Sequence, residues 1–405
     1  MNYQNSYNLL FNKLFIMKNL LFIILIISFW GCNTQPHFTV SNVENSAEII
    51  DVTTALENEN LKIDDIIDSM SLIILETNVE SLLSSIDQIV IGDEYIYVLD
   101  AYQLGSVAIF TKDGKFLKRI SQGNGPGEIN RAMSIAYDKY ARQLLVQDIR
   151  ALNVYSEQGE FVKDVNFNYL YGELIALKNN YLFFQYDFQN LETNFPSFFL
   201  TDKSFKVTDL FYINYKRYVM GHNFMSSTDD CNQIIFHRPL DNSIYLIKSD
   251  GSISTKYSFS FSDLEANTDK YDYCRDNSFD RELDNSQGGK YYFSGDFAET
   301  DNYIFLRYSK IRYGDVYLYI NKKNKEMRCG VNPLFTSKLL PNMGMLVGSY
   351  NNCFVKYLPL EFFGGINVLP EIIEANKDYL SKEDLDKLKN YKQDDNPLLF
   401  FYKLK

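Results

Sequence analysis

Three aspartates end short apolar runs at comparable places: Asp100 closes YIYVLD, Asp148 closes QLLVQD and Asp187 follows YLFFQY. They stand 48 and 39 residues apart, which suits equivalent positions in successive structural repeats. A ring of such carboxylates could hold calcium, an ion that takes roughly six to eight oxygen ligands. Calcium held in this way would serve a hydrolase or lyase. In the plainer reading the three are solvated turn residues. Cationic groups recur near run ends as well: Arg131, Arg150, Arg238 directly after His237, and Arg307. Guanidinium groups facing a channel would bind carboxylates or sulfates bidentately; otherwise they lock neighbouring repeats through salt bridges. The three histidines (His37, His222, His237) are too scattered for a histidine-built metal centre. Gly123–Gly127 lacks the Lys-Ser/Thr of a phosphate loop, and no GxSxG nucleophile elbow occurs. No catalytic residue is assigned.

These side chains need a repeating frame, and the sequence supplies one. Asp113-Gly114 between two apolar runs is a hairpin signal, because its turn needs positive φ. The turn recurs around Gly159 and Gly251 and, in degenerate form, around Ser204 and Asn324. In chain order the intervals are 45, 45, 47 and 73 residues, the last widened by a polar segment between Ser262 and Gly289. Units of about 40–50 residues with several short strands mark propeller blades. Each turn follows a strand pair: YIYVLD/SVAIF, QLLVQD/ALNVY, YLFFQYDF/SFFLT, QIIFHRP/SIYLIK and YIFLRY/DVYLYI. A sixth pair, CFVKYLP with PLLFFYKLK, ends the chain and closes the ring beside the strand at Leu72–Leu75. The expected fold is all-β: a six-bladed β-propeller of four-stranded antiparallel blades. A short helical insertion over 370–392 carries a Ser381/Asp384 capping box.

The N-terminal region reads as a signal. Lys18 precedes a near-continuous apolar run, Leu20–Trp30, that is too short to span a bilayer as a helix. Gly31-Cys32 then resembles the lipobox of bacterial lipoproteins, so Cys32 is the expected lipidated residue, with Met17 as an alternative start. The usual leucine three residues before the cysteine is missing. The expected organisation is a lipoprotein signal peptide over 1–31, a tether over 32–61 and the propeller over 62–405. A net charge of −12 excludes a nucleic-acid partner. Cys231, Cys274, Cys329 and Cys353 permit disulfides in an exported protein or stand as free thiols.

The stretch FTKDGKFLKRISQGNGPGEI, with IIFHRPLDNSIYLIKSDGSI and the terminal NPLLFFYKLK, resembles the bacterial six-bladed β-propeller lipoproteins, close in pattern to NHL-type propellers. The likeness runs from about Leu61 to Lys405, and many members have no known function. It implies an outer-membrane lipoprotein facing the periplasm or the cell surface. The leading expectation is a non-enzymatic binding or scaffold protein that presents a propeller face to a glycan, peptide or protein. Two alternatives stand beside it: a calcium-dependent hydrolase or lyase, and a structural subunit of an envelope complex. No cofactor is expected apart from calcium in the hydrolase or lyase alternative.

Overall fold

The computed structural model describes residues 37–40, 43–44, 47–149, 151–166, 171–184, 198–212, 224–228, 230, 232–267, 287–331, 337–360 and 364–405. Contacts divide the chain between Phe38 and Thr39, and the propeller belongs to the second unit, Thr39–Lys405.

Six antiparallel sheets form the blades of a propeller. From the inner strand outward, the first blade is Gln88–Ile91, Tyr95–Asp100, Ser106–Thr111 and Phe116–Ile120. The second is Ala132–Asp138, Gln143–Asp148, Ala151–Ser156 and Phe161–Asn166. Blades three and four start with the short inner strands Glu173–Ala176 and Met225–Ser227. Blade five runs from Tyr291–Glu299 through Tyr303–Lys310 and Gly314–Asn321 to Met327–Val331. Blade six takes Met345–Tyr350, Cys353–Leu358 and Leu398–Leu404 from the C-terminal region, and its outer strand, Ile67–Ile74, from the N-terminal region.

The sequence patterns explain the placement. Second and third strands such as Tyr95–Asp100 and Ser106–Thr111 are buried on both faces, between neighbouring strands and neighbouring blades. Near-continuous apolar runs of about six residues are what such positions demand. All six strand pairs read from the sequence are antiparallel partners in the fold. The ring closes where Leu398–Leu404 pairs with Ile67–Ile74, Phe400 facing Leu72 and Leu398 facing Ile74. The Asp113-Gly114 turn docks on this seam: the Gly114 carbonyl accepts the Glu76 N–H at 2.8 Å. Gly114 has φ +86, and a side chain there would collide with the Ile74 carbonyl.

Blades are also joined by buried polar groups. Asp138, fully buried in blade two, accepts the Tyr181 hydroxyl (2.8 Å) and the Lys203 ammonium (2.7 Å) of blade three. Tyr181→Phe removes one of the two donors on Asp138 Oδ2 and leaves the Lys203 ammonium on that oxygen. The expected cost is about 2 kcal/mol, in the range for a hydrogen bond to a charged group. Denaturant unfolding measures it, and an unchanged midpoint would mean that Asp138 does not depend on this donor.

The insertion in blade six is two helices, Leu369–Asn376 and Lys382–Lys389. Ser381 caps the second as expected, its hydroxyl accepting the Asp384 N–H at 3.1 Å. One expectation is corrected. Of the stretch read as a tether, Glu48–Asp51 pairs in parallel with the outer strand Ile253–Ser260 of blade four, and Thr53–Asn58 is helical. Ile50, Val52 and Leu56 bury into the core beside Phe259 and Phe261, so this polar-looking segment is fixed by a few well-spaced apolar side chains. Cys329 is buried and Cys353 half-buried, both as free thiols; Cys231 and Cys274 lie outside the described residues.

Candidate functional site

The inner strands of all six blades surround one cavity of about 530 Å³. Its wall is made by Gln88–Ile91, Ile135–Tyr137, Glu173–Ala176, Phe224–Ser227, Ser294–Phe297 and Leu346–Tyr350, joined by His237. Two wall side chains tie blades together. Gln88 accepts the Ile135 N–H at 2.9 Å, and the Glu173 carboxylate accepts the N–H groups of Phe224 (2.8 Å) and Met225 (3.2 Å). Each inner strand is an edge with unsatisfied backbone groups, and these bonds supply partners that the ladder lacks.

Blade five interrupts this regularity. Its inner strand pairs through Phe293 with Tyr308 and resumes only at Phe297 with Leu306, so Ser294, Gly295 and Asp296 bulge opposite Arg307. Gly295 has φ +103, and its backbone packs so closely on Pro239 that a Cβ would lie 2.6 Å from that ring. The Ser294 hydroxyl donates to the Arg307 carbonyl at 2.6 Å and pins the bulge. Bulges re-aim side chains, and this one turns Asp296 into the cavity wall.

Charges gather behind the bulge. Arg307 meets Asp296 through Nε (3.0 Å) and Nη2 (3.2 Å), and reaches Asp315 through Nη1 at 3.1 Å. Burial raises the Asp296 carboxyl above the usual range, against the pull of Arg307. Burial alone would lower the Arg307 guanidinium, but Asp296 and Asp315 together hold it above its ordinary value. Lys356 of blade six is wholly buried beside them. It donates to the Pro341 carbonyl at 2.7 Å and lies 4.2 Å from the centre of the Tyr317 ring. Burial brings its ammonium down to about 7, against the attraction of Asp296. His237 contacts the Phe297 ring and hydrogen-bonds to the Gly295 backbone, and burial pushes its imidazole down to about 4. It is therefore neutral at pH 7.

The residues singled out in the sequence divide into four groups. His237 and Arg307 come together around the bulge. Arg131 and Arg238 are engaged elsewhere: Arg131 donates from Nε to the Ala101 carbonyl (3.0 Å), joining blades one and two, and Arg238 forks onto Asp241 at 3.1 and 3.0 Å. Arg150 and Asp187, like Cys32, lie outside the described residues. Asp100 and Asp148 do occupy equivalent corners, but away from the cavity wall. Asp100 accepts the N–H groups of Ser84 (2.8 Å), Ser85 (3.1 Å) and Leu104 (3.1 Å) and the Ser85 hydroxyl (2.9 Å). Asp148 accepts the N–H groups of Asn130 (2.8 Å), Arg131 (3.0 Å) and Ile149 (2.6 Å). Donors of this kind do not fit a calcium shell, which is built of oxygen acceptors. Among the described residues no three His, Cys, Asp or Glu side chains gather as metal ligands.

Sequence reasoning missed Asp296, Lys356, Glu173 and Gln88. The signal for Asp296 was available: a Gly-Asp pair inside the alternating run YYFSGDFAE marks a bulge. Lys356, a lone charge in the apolar run CFVKYL, was the other.

In three dimensions the chain is similar to a Bacteroides fragilis NCTC 9343 protein named for its expected export. The TM-score is 0.64 at 19% identity, over 88% of this chain and 100% of that one. Streptogramin B lyase aligns at a TM-score of 0.40 with 10% identity over 71% and 80% of the two chains. The WD40 domain of Neurospora crassa Pan2 aligns at 0.36 with 11% identity over 67% and 71%. The first likeness shows the fold, and the other two are too distant to carry an argument. No curated protein matches the sequence. Residues 47–403, from before the parallel strand of blade four to the last strand of blade six, match one family throughout, and the chain belongs to it: the Domain of unknown function (DUF4934) family.

Proposed function

We propose that this protein is an exported lipoprotein of the cell envelope, anchored through Cys32 in the outer membrane, whose NHL-like propeller binds a partner in its axial cavity without catalysing a reaction. The cavity carries the reading. It is large enough for a small ligand or a peptide side chain, and a mostly preformed cleft with a few polar groups is the usual form of a binding site. Asp296 is paired with Arg307 and Glu173 with backbone N–H groups, an arrangement suited to recognition rather than to an activated nucleophile. The anchor reading rests on the apolar run before Gly31-Cys32. Among the described residues no helix is long and apolar enough to cross a membrane.

Two measurements test the two halves. In cells fed a clickable fatty acid, the intact chain should take up label and sediment with membranes, whereas Cys32→Ala should lose both properties. Label retained by the variant, or absent from the wild type, would remove the anchor. For the cavity, Ser226→Trp places an indole against the wall from blade four. Ligand-induced melting shifts seen across glycan and peptide panels should vanish in this variant, while its own melting point stays near that of the wild type. Shifts that persist would move the binding site elsewhere on the ring.

A further inference from the structure

We infer that the axial cavity is a carbohydrate site, in which the Ser294–Asp296 bulge and the Arg307 ion pair behind it recognise an uncharged, hydroxyl-rich ligand. This rests on the reading of the propeller as a binding protein and gives it a ligand class.

The first support is the unused hydrogen-bonding capacity at the bulge. Asp296 and Arg307 keep about a third of their side chains open to solvent, at 31% and 32%. A carboxylate offers roughly four acceptor positions and a guanidinium about five N–H donors. Arg307 donates from Nη2 to Asp296 and from Nη1 to Asp315, one proton from each, so acceptor positions remain on Asp296 and the second proton of each Nη remains on Arg307. A sugar hydroxyl both donates and accepts, and a vicinal pair of hydroxyls matches an adjacent carboxylate and guanidinium without adding charge.

Charge supplies the second support. The wall brings Asp93, Glu173 and Asp296 against Lys139. This balance opposes an anionic ligand. It does not demand a cation either, because Asp296 and Asp315 already face Arg307 with Lys356 beside it, and Glu173 accepts two backbone N–H groups. The rim is the third. Tyr137 and Tyr350 line the cavity together with Ser226, Ser227 and Asn351; Tyr137 is held by stacking on Tyr97 with ring centres 5.6 Å apart, and Tyr350 by the Lys112 ammonium 4.0 Å from its ring centre. Aromatic faces next to hydroxyl and amide groups suit a sugar ring, which is apolar on its faces and polar at its edge.

The test is saturation-transfer NMR and calorimetric titration of the intact chain in detergent. The probes are uncharged malto-, cello- and chito-oligosaccharides, with heparin-derived acidic oligosaccharides and unstructured peptides as the contrasting classes. At least one uncharged series should bind. Asp296→Asn, which keeps the shape and removes the carboxylate, should weaken that binding tenfold or more, and Ser226→Trp should abolish it. The acidic series should bind far more weakly. Absence of binding by every uncharged series overturns the inference, as does unchanged affinity in a folded Asp296→Asn protein. If the asparagine variant does not fold, Ser226→Trp alone decides whether the sugars enter the cavity. Peptide binding blocked by Ser226→Trp, without sugar binding, would leave the binding propeller standing and remove only its carbohydrate ligand.

Discussion

Ser71→Pro should destabilise the whole ring by about 3 kcal/mol or more, although Ser71 is exposed. Ser71 faces Phe401 in the seam between the N-terminal and C-terminal strands. Its neighbour Met70 points its N–H outward, to the Tyr379 carbonyl at 3.0 Å. Backbone groups alternate along a strand, so the Ser71 N–H points inward to the ladder, and proline removes that bond. The change leaves the apolar contacts of Leu72 and Phe400 in place, so the loss measures closure rather than core packing. Ser71→Ala is the control and should stay within about 0.5 kcal/mol of the wild type. Because the seam joins the two ends of the ring, its opening also exposes Leu398–Leu404 as an unprotected edge, and the proline variant should aggregate on heating. Urea unfolding checks both statements. Equal midpoints for the proline and alanine variants would mean that the ring does not depend on its seam.

Lys356→Met should alter the dependence of stability on pH. Burial holds the Lys356 ammonium down to about 7, from an ordinary value of 10.5. Between these limits the unfolded chain binds the proton and the folded chain does not, so this group makes wild-type stability rise with pH across that window. Below pH 7 both states are charged, and the full cost of the buried ammonium is present. Methionine of similar length removes the titration, at the expense of leaving the Pro341 carbonyl without its donor. The variant should therefore fare best relative to the wild type near pH 6. That relative advantage should fall by on the order of a few kcal/mol by pH 10. Denaturant midpoints of both proteins at several pH values give the comparison. A difference that does not change with pH would place the Lys356 ammonium in contact with water.

The sequence made the middle of each blade legible and left its inner edge obscure. Runs such as YIYVLD and SVAIF are apolar throughout because they are covered on both faces, and Asp113-Gly114 declares its turn by backbone chemistry alone. Ser381 with Asp384 is equally local, and the capping bond forms as read. Inner strands such as ELIA and MSS are short and mixed because one of their edges faces the cavity, so neither length nor alternation marks them. The periodicity of Asp100 and Asp148 was real, but its cause was different: both fold the approach to a blade by accepting backbone N–H groups. Arg307 pointed to the right neighbourhood without its partner. Asp296 reaches it only because the ladder slips by a bulge, which is a property of two paired strands rather than of one. Lys356 is buried by Tyr317 and Phe305 of the preceding blade, a contact absent from its own segment.

The most direct test of the axial cavity as the working site is thiol labelling of Ser226→Cys, a near-isosteric change on the wall, measured against the parent chain with its native cysteines. In the folded protein, small methanethiosulfonate reagents should modify the new thiol rapidly, and the oligosaccharides that shift the melting point should slow the reaction. Labelling as slow as that of buried Cys329, or a rate indifferent to those ligands, would contradict an open cavity that binds them.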